Sequence, residues 1–146
     1  MVYAGQIITA NMWNRLQPVP YLARASASLT KTDTTYTDIP GASVPITTTA
    51  ANAVYVVEAV FDCVVGGVAA SNRMLGRIVT DGTAEDGFAI HQMVQLDRDT
   101  VATMARGTFA AAGAHTIKLQ GALSAAAGSG TFQIYTQVKV TVYEVP

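Results

Sequence analysis

The sequence predicts an all-β fold, an antiparallel sandwich or barrel, and three observations carry that expectation. From residue 21 onward apolar residues recur with period two, in runs rich in Val, Ile, Thr, Tyr and Phe. Gly, Pro, Asn and Asp clusters break those runs at regular intervals. No second helical pattern follows residue 20, so no crossover helices accompany the strands. At 146 residues the chain fits one domain, large enough to bury a core without staples.

The first element is the exception. In residues 4–18, AGQIITANMWNRLQP, Thr9 can cap a helix and Pro18 forbids continuation past Gln17. Some eight residues make a helix that is marginal alone, so Ile8, Met12, Trp13 and Leu16 need another surface to cover them. Pro18-Val19-Pro20 then reads as a hinge. The expected organisation is an anchor segment over residues 1–20 and a β domain over residues 21–146.

Eight strands are expected, at 21–29, 34–48 with an interruption at Ile39-Pro40-Gly41, 53–65, 72–80, 87–96, 100–110, 114–123 and 131–145. Between them lie Asp81-Gly82, Asp97-Arg98-Asp99, Ala112-Gly113 and the small-residue stretch from Ser124 to Gly130. In the last strand Phe132, Ile134, Thr136, Val138, Val140 and Val142 should face the core, and Gln133, Tyr135, Gln137, Lys139, Thr141 and Tyr143 should face outward. Strand 114–123 places Ile117, Leu119 and Leu123 inward, with Thr116, Lys118 and Gln120 outward.

Strand 53–65 departs from this simple division. Its odd positions, Ala53, Tyr55, Val57, Ala59, Phe61, Cys63 and Val65, are wholly apolar and form the expected core face. Its even positions carry Val54, Val56, Val60 and Val64 around Glu58 and Asp62. Such a face is too apolar for free water and too charged for a core; it is read either as a central strand partly covered by a loop or as a subunit interface, with the four valines as candidate interface residues.

Composition narrows the class. Charged residues are 13% and hydrophobic residues 50% of the chain, against about 25% charged in an average domain. A chain so short of charge either spans a membrane or hides surface in an oligomer. The longest apolar candidate, Ala53 to Ala70, is broken by Glu58, Asp62 and two glycines, so no membrane span is expected. No basic leader precedes the first apolar residues, and a cleaved secretory signal is not expected. A net charge of −1 with scattered cations offers no electrostatic footprint for nucleic acid.

No catalytic constellation appears. His91 and His115 lie apart and read as structural or surface histidines, and with Cys63 they make no zinc spacing. Cys63 has no disulfide partner and reads as a small core side chain. Glu85-Asp86-Gly87 and Asp97-Arg98-Asp99 read as solvated turn residues rather than calcium ligands. Glycines at Gly66-Gly67 and Gly128-Ser129-Gly130 sit between strands and precede no helix, so they form no phosphate loop. The expectation is a non-enzyme with no cofactor and no bound metal.

Two stretches carry a resemblance. AGQIITANMWNRL, from Ala4 to Leu16, resembles the opening of virion proteins of tailed bacteriophages, especially those of actinobacteria, with Gln6 where an acidic residue is common. Gly113-Ala114-His115-Thr116-Ile117-Lys118-Leu119-Gln120, with the closing strand to Pro146, resembles late strands of trimeric jelly rolls of the tumour-necrosis-factor and complement-head type. The resemblance implies an eight-stranded antiparallel jelly-roll sandwich with a short N-terminal helix, forming a homotrimer on the outside of a phage particle. Residues 1–17 would grip another virion protein of capsid or tail through Ile8, Met12, Trp13 and Leu16, after synthesis in the host cytoplasm. The expected role is a capsid decoration or cementing spike; a tail-fibre or receptor-binding protein that meets a host-surface receptor is the alternative. The bland loops at 65–70 and 124–130 favour decoration, because sugar-binding tips gather aromatic and hydrogen-bonding side chains. Tyr135 and Tyr143 weigh on the other side. A cytokine-like ligand should carry a secretion signal, and a cupin-type enzyme needs clustered histidines.

Overall fold

Period-two patterning produces ten strands in the computed structural model, which describes residues 17–144. They are β1 (Val19–Arg24), β2 (Leu29–Lys31), β3 (Thr37–Thr48), β4 (Ala53–Gly67), β5 (Arg73–Thr80), β6 (Thr83–Gln92), β7 (Arg98–Phe109), β8 (Gly113–Leu123), β9 (Ser129–Phe132) and β10 (Gln137–Tyr143). The first sheet runs β1-β10-β4-β9-β2 with β7 paired to β4, and the second runs β3-β8-β5-β6. All pairings are antiparallel. The chain crosses repeatedly from one sheet to the other, as the expected jelly roll requires. The helix expected before Pro18, and with it Ile8, Met12, Trp13 and Leu16, lies outside the described residues.

β4 is the spine of the first sheet. Residues 54–60 pair with β10 on one edge and with β7 on the other, while residues 63–67 continue alongside β9. A strand paired on both edges has every backbone group spoken for, and its odd side chains from Ala53 to Val65 are all buried, as expected. They meet Ile46, Met74, Ile78, Ile117, Leu119 and Leu123 from the second sheet and Val138, Val140 and Val142 from β10 in one core. The rings of Phe61 and Phe132 meet edge to face at 6.0 Å. Gly76 and Gly121 make room for them, since a Cβ at either would stand 2.5 Å and 2.3 Å from a ring atom.

Three boundaries differ from expectation for local reasons. The strand expected at 131–145 is two strands, because Thr136 N–H turns back to the Gln133 carbonyl at 3.0 Å. Ile134 sits in that turn and is 39% exposed rather than buried. Four inserted residues preserve the parity of Val138, Val140 and Val142, which hid the break from a period-two reading. The strand expected to begin at residue 87 begins at Thr83, because Asp81 and Gly82, with φ of 49° and 85°, close a two-residue hairpin. Glu85-Asp86-Gly87 is then an irregularity inside the β5–β6 ladder and not a turn between strands. The strand expected at 21–29 splits around residues 25–28 into β1 and β2.

The expected interruption of β3 at Ile39-Pro40-Gly41 falls where the β3–β8 register shifts, between Asp38 and Ser43. Pairing also reaches into the expected hinge. Val19 faces Val142 and Pro20 faces Thr141 in edge strand β1, where a proline without an N–H is tolerated.

Candidate subunit interface

Antiparallel register decides which side chains share the outer face of the first sheet. Leu22, Lys139, Glu58 and Met104 form one row across β1, β10, β4 and β7. Pro20, Thr141, Val56 and Arg106 form the next row on one side, and Arg24, Gln137, Val60 and Ala102 the next on the other. Tyr143, Val54 and Thr108 extend it further. The polar face of the last strand and the valine face of β4 are therefore one surface. Gln137, expected to face outward, lies directly across from Val60.

All four predicted interface valines, Val54, Val56, Val60 and Val64, are half-buried on the outer side of β4, with the exposed Glu58 between Val56 and Val60. Asp62 separates Val60 from Val64 in the same way. Leu22 and Met104 flank the stripe at 70% and 65% exposure. Tall neighbours around short valines leave two shallow hollows. One, of about 380 Å³, is lined by Val54, Val56, Arg106 and Tyr143. The other, of about 300 Å³, lies along Glu58, Val60, Ala102 and Met104.

Two charge pairs lie on this face. Lys139 Nζ donates to Glu58 Oε2 at 2.9 Å, and that hydrogen bond raises the lysine above its ordinary range. Asp62 is 1% exposed and is held bidentately by Arg98, Nε to Oδ1 at 2.8 Å and Nη2 to Oδ2 at 2.7 Å. Its backbone N–H donates to Thr136 Oγ1 at 3.1 Å. The partner of Asp62 is 36 residues away, and no local motif announces it.

The other candidate groups are built into the scaffold. His91, 8% exposed, has Nε2 3.0 Å from Asp97 Oδ1. His115 Nδ1 lies 2.7 Å from Asp81 Oδ2, and its ring stacks on Phe109 at 4.0 Å. Tyr55 donates its hydroxyl to Glu85 and so ties β4 to β6; burial first, then this bond, pushes the phenol up to about 12. Burial likewise pushes the Cys63 thiol up to about 12, with the Asp62 and Asp99 charges adding to it. Among the described residues no three His, Cys, Asp or Glu side chains gather to hold a metal ion. Among the same residues no helix is long and apolar enough to cross a membrane.

A residue missed in the sequence closes one end of the sandwich. Asn72, fully buried, donates Nδ2 to the carbonyls of Ala125 and Ala127 at 2.6 and 2.5 Å. Its Oδ1 accepts from Ser124 Oγ at 2.6 Å and from the amides of Arg73 and Ala125 at 2.8 Å each. Together with Ser124 Oγ, which also accepts from the Arg73 amide at 2.9 Å, it ties the start of β5 to the 124–130 loop.

No protein-family model matches the chain, and no curated protein does. Among solved structures, the Eiger TNF of S. frugiperda is similar over 88% of this chain and 93% of its own, at 9% identity and a TM-score of 0.55. That likeness shows the fold alone, a jelly roll. The C-terminal domain of EclA, a sugar-binding protein, aligns over 86% of this chain and 77% of its own at 13% identity, with a TM-score of 0.49. A chain of infectious bursal disease virus, Gt strain, aligns over 87% of this chain and 32% of its own at 14% identity, with a TM-score of 0.48. Neither of these two reaches the similarity at which a shared fold carries an argument.

Proposed function

We propose that this protein is a structural component of the bacteriophage exterior, a homotrimeric jelly roll that decorates or cements the capsid, with residues 1–17 as its attachment segment. The observation that carries the trimer is the outer face of the first sheet. Around the valine stripe it collects Tyr143, Met104, Arg106 and Arg24, residue types enriched where proteins meet. Two valine-floored hollows there suit side chains of a second copy. The opening AGQIITANMWNRL supports the phage assignment through its resemblance to virion-protein openings. A tail-fibre position is the second reading, favoured by the exposed Tyr135.

A cryo-EM map of the particle tests the location. Threefold density on the capsid lattice is the expected result, and density confined to the tail contradicts decoration. Attachment is tested separately. Because sheet pairing begins at Val19, removal of residues 1–17 should leave a trimer of nearly unchanged melting temperature that no longer binds stripped particles. Trp13→Ala in the full chain should weaken particle binding at least a hundredfold, since truncating a buried aromatic costs about 3–5 kcal/mol. A destabilised domain that still binds would contradict the anchor.

A further inference from the structure

A ring of three identical chains cannot be closed by a surface that meets itself. Its contact is heterologous, so the valine face of one copy must be covered by a different part of the next. That second surface has to be exposed, apolar and opposite in charge. Residues 83–97 meet all three conditions.

Strand alternation exposes them. Ala89 and His91 of β6, and Met93 beyond it, are buried, which turns Phe88 and Ile90 outward; Val94 and Leu96 follow in the connection to β7. These four side chains are 50% to 68% exposed, and the half-buried Leu75 lies across from Ile90 on β5. Among the described residues no other stretch outside the first-sheet face gathers as many exposed large apolar side chains. Charge selects the same stretch. Residues 83–97 hold Glu85, Asp86 and Asp97 and no lysine or arginine. Glu85 and Asp97 are engaged by Tyr55 and His91, which leaves Asp86, exposed and without a partner among the described residues, as the free charge. Arg77, opposite Phe88, is spent on Gln120 and the Tyr36 ring. The first-sheet face has the opposite balance: Arg24, Arg106 and Lys139 against Glu58, beside the mutually neutralised Asp62 and Arg98.

The two surfaces adjoin at one corner of the sandwich. A Cβ on Gly87 would lie 3.7 Å from the carbonyl oxygen of Met104, the residue that rims the valine face. Surfaces that meet at a corner face different ways, which suits closure about an axis, whereas surfaces set back to back would build a filament. We infer, on the reading of a trimer given above, that Phe88, Ile90, Val94 and Leu96 of one copy cover the valines of the next. The hollows of about 380 and 300 Å³ beside those valines receive side chains of this size. Apolar contact holds the copies, and charge decides which surfaces meet.

Light scattering and cross-linking of the full chain test this contact apart from the trimer. Ile90→Lys and Leu96→Lys should each weaken association about a hundredfold or more at unchanged melting temperature, since both side chains are open to water in the single chain. Ser43→Lys, on β3 at the far edge of the same sheet, should change nothing. Ile90→Cys chains co-expressed with Val56→Cys chains should give mixed dimers with a bismaleimide, and Ile90→Cys alone should give none; Cys63 is buried and does not compete. An unsubstituted trimer that tolerates both lysines overturns this contact and leaves the trimer standing. Linkage of Ile90→Cys to its own copy overturns it too, because the stretch would then meet itself. A monomeric unsubstituted chain overturns both.

Discussion

The outer faces of the two sheets are built by the same alternation and come out differently. On the second sheet Lys118 Nζ and Gln120 Nε2 donate to Asp38 at 2.7 and 2.6 Å, Arg77 donates twice to Gln120 Oε1, and its guanidinium lies 3.7 Å over the Tyr36 ring. Cross-strand polar pairs there occupy one another and leave water the rest, although Phe88 and Ile90 remain half exposed at the β6 edge. On the first sheet the central strand offers valines, with two ion pairs, Glu58 to Lys139 and Asp62 to Arg98, among them. A face that completes its own polar network is finished as a surface; a valine stripe between tall apolar flanks is not. That difference is what directs the proposed subunit contact to the first sheet.

The largest expected effect breaks that distinction directly. Val56→Lys and Val60→Lys should each dissociate or aggregate the assembly, since covering an unpaired ammonium costs about 3 kcal/mol or more, a hundredfold or greater loss of association. Ser43→Lys, exposed on β3 of the second sheet, should leave assembly intact. Equal tolerance at all three by light scattering would place the interface elsewhere.

Asn72→Ala comes next and separates folding from assembly. It leaves the Ala127 carbonyl and the Ala125 amide at the closed end without their partner, and removes one of two partners from the Ala125 carbonyl and the Arg73 amide, a loss of about 3 kcal/mol and a fall in melting temperature on the order of 10 °C. Because Asn72 lies on neither outer face, subunit mass below the melting temperature should not change. A drop in mass at constant melting temperature would show the end loops to be the contact.

Acid sharpens the contrast with a smaller effect. The Lys118 hydrogen bond first, then that of Gln120, holds Asp38 below its ordinary 3.8, and the Lys31 hydrogen bond does the same for Asp33. Burial raises Asp81, but the Thr116 amide and His115 outweigh it and leave it lowered. A depressed carboxylate adds stability that is complete above its unfolded value and lost as pH falls through the folded one. Melting temperature should therefore be flat from about pH 8 to 5 and fall below about pH 4. Asp38→Ala should remove part of that acid loss while costing only about 0.5 kcal/mol at neutral pH. Dissociation of the assembly ahead of the melting change would mean that charge pairs, not valines, hold the copies together.

Legibility in the sequence followed the range of the physics. The core face of β4 could be read from residues 53–65 because seven alternate positions are apolar without exception, and the β3 irregularity was announced by Pro40 and Gly41. The break at Gln133–Thr136 was invisible because four residues keep the parity. Register across strands was equally invisible, so the valines of β4 and Tyr143 of β10 could not be joined into one surface. Asn72 and the Asp62–Arg98 pair act over tens of residues and leave no local pattern. Of the candidate interface, the valines were therefore readable and their neighbours were not.

The most direct test of the central claim is the mass of the full chain in solution by size-exclusion light scattering at neutral pH. A covered first-sheet face predicts three times the 15.3 kDa of the chain, stable on dilution to about 1 μM and returned to one chain by Val56→Lys. A monomer at about 100 μM, with its valine stripe open to water, would contradict it.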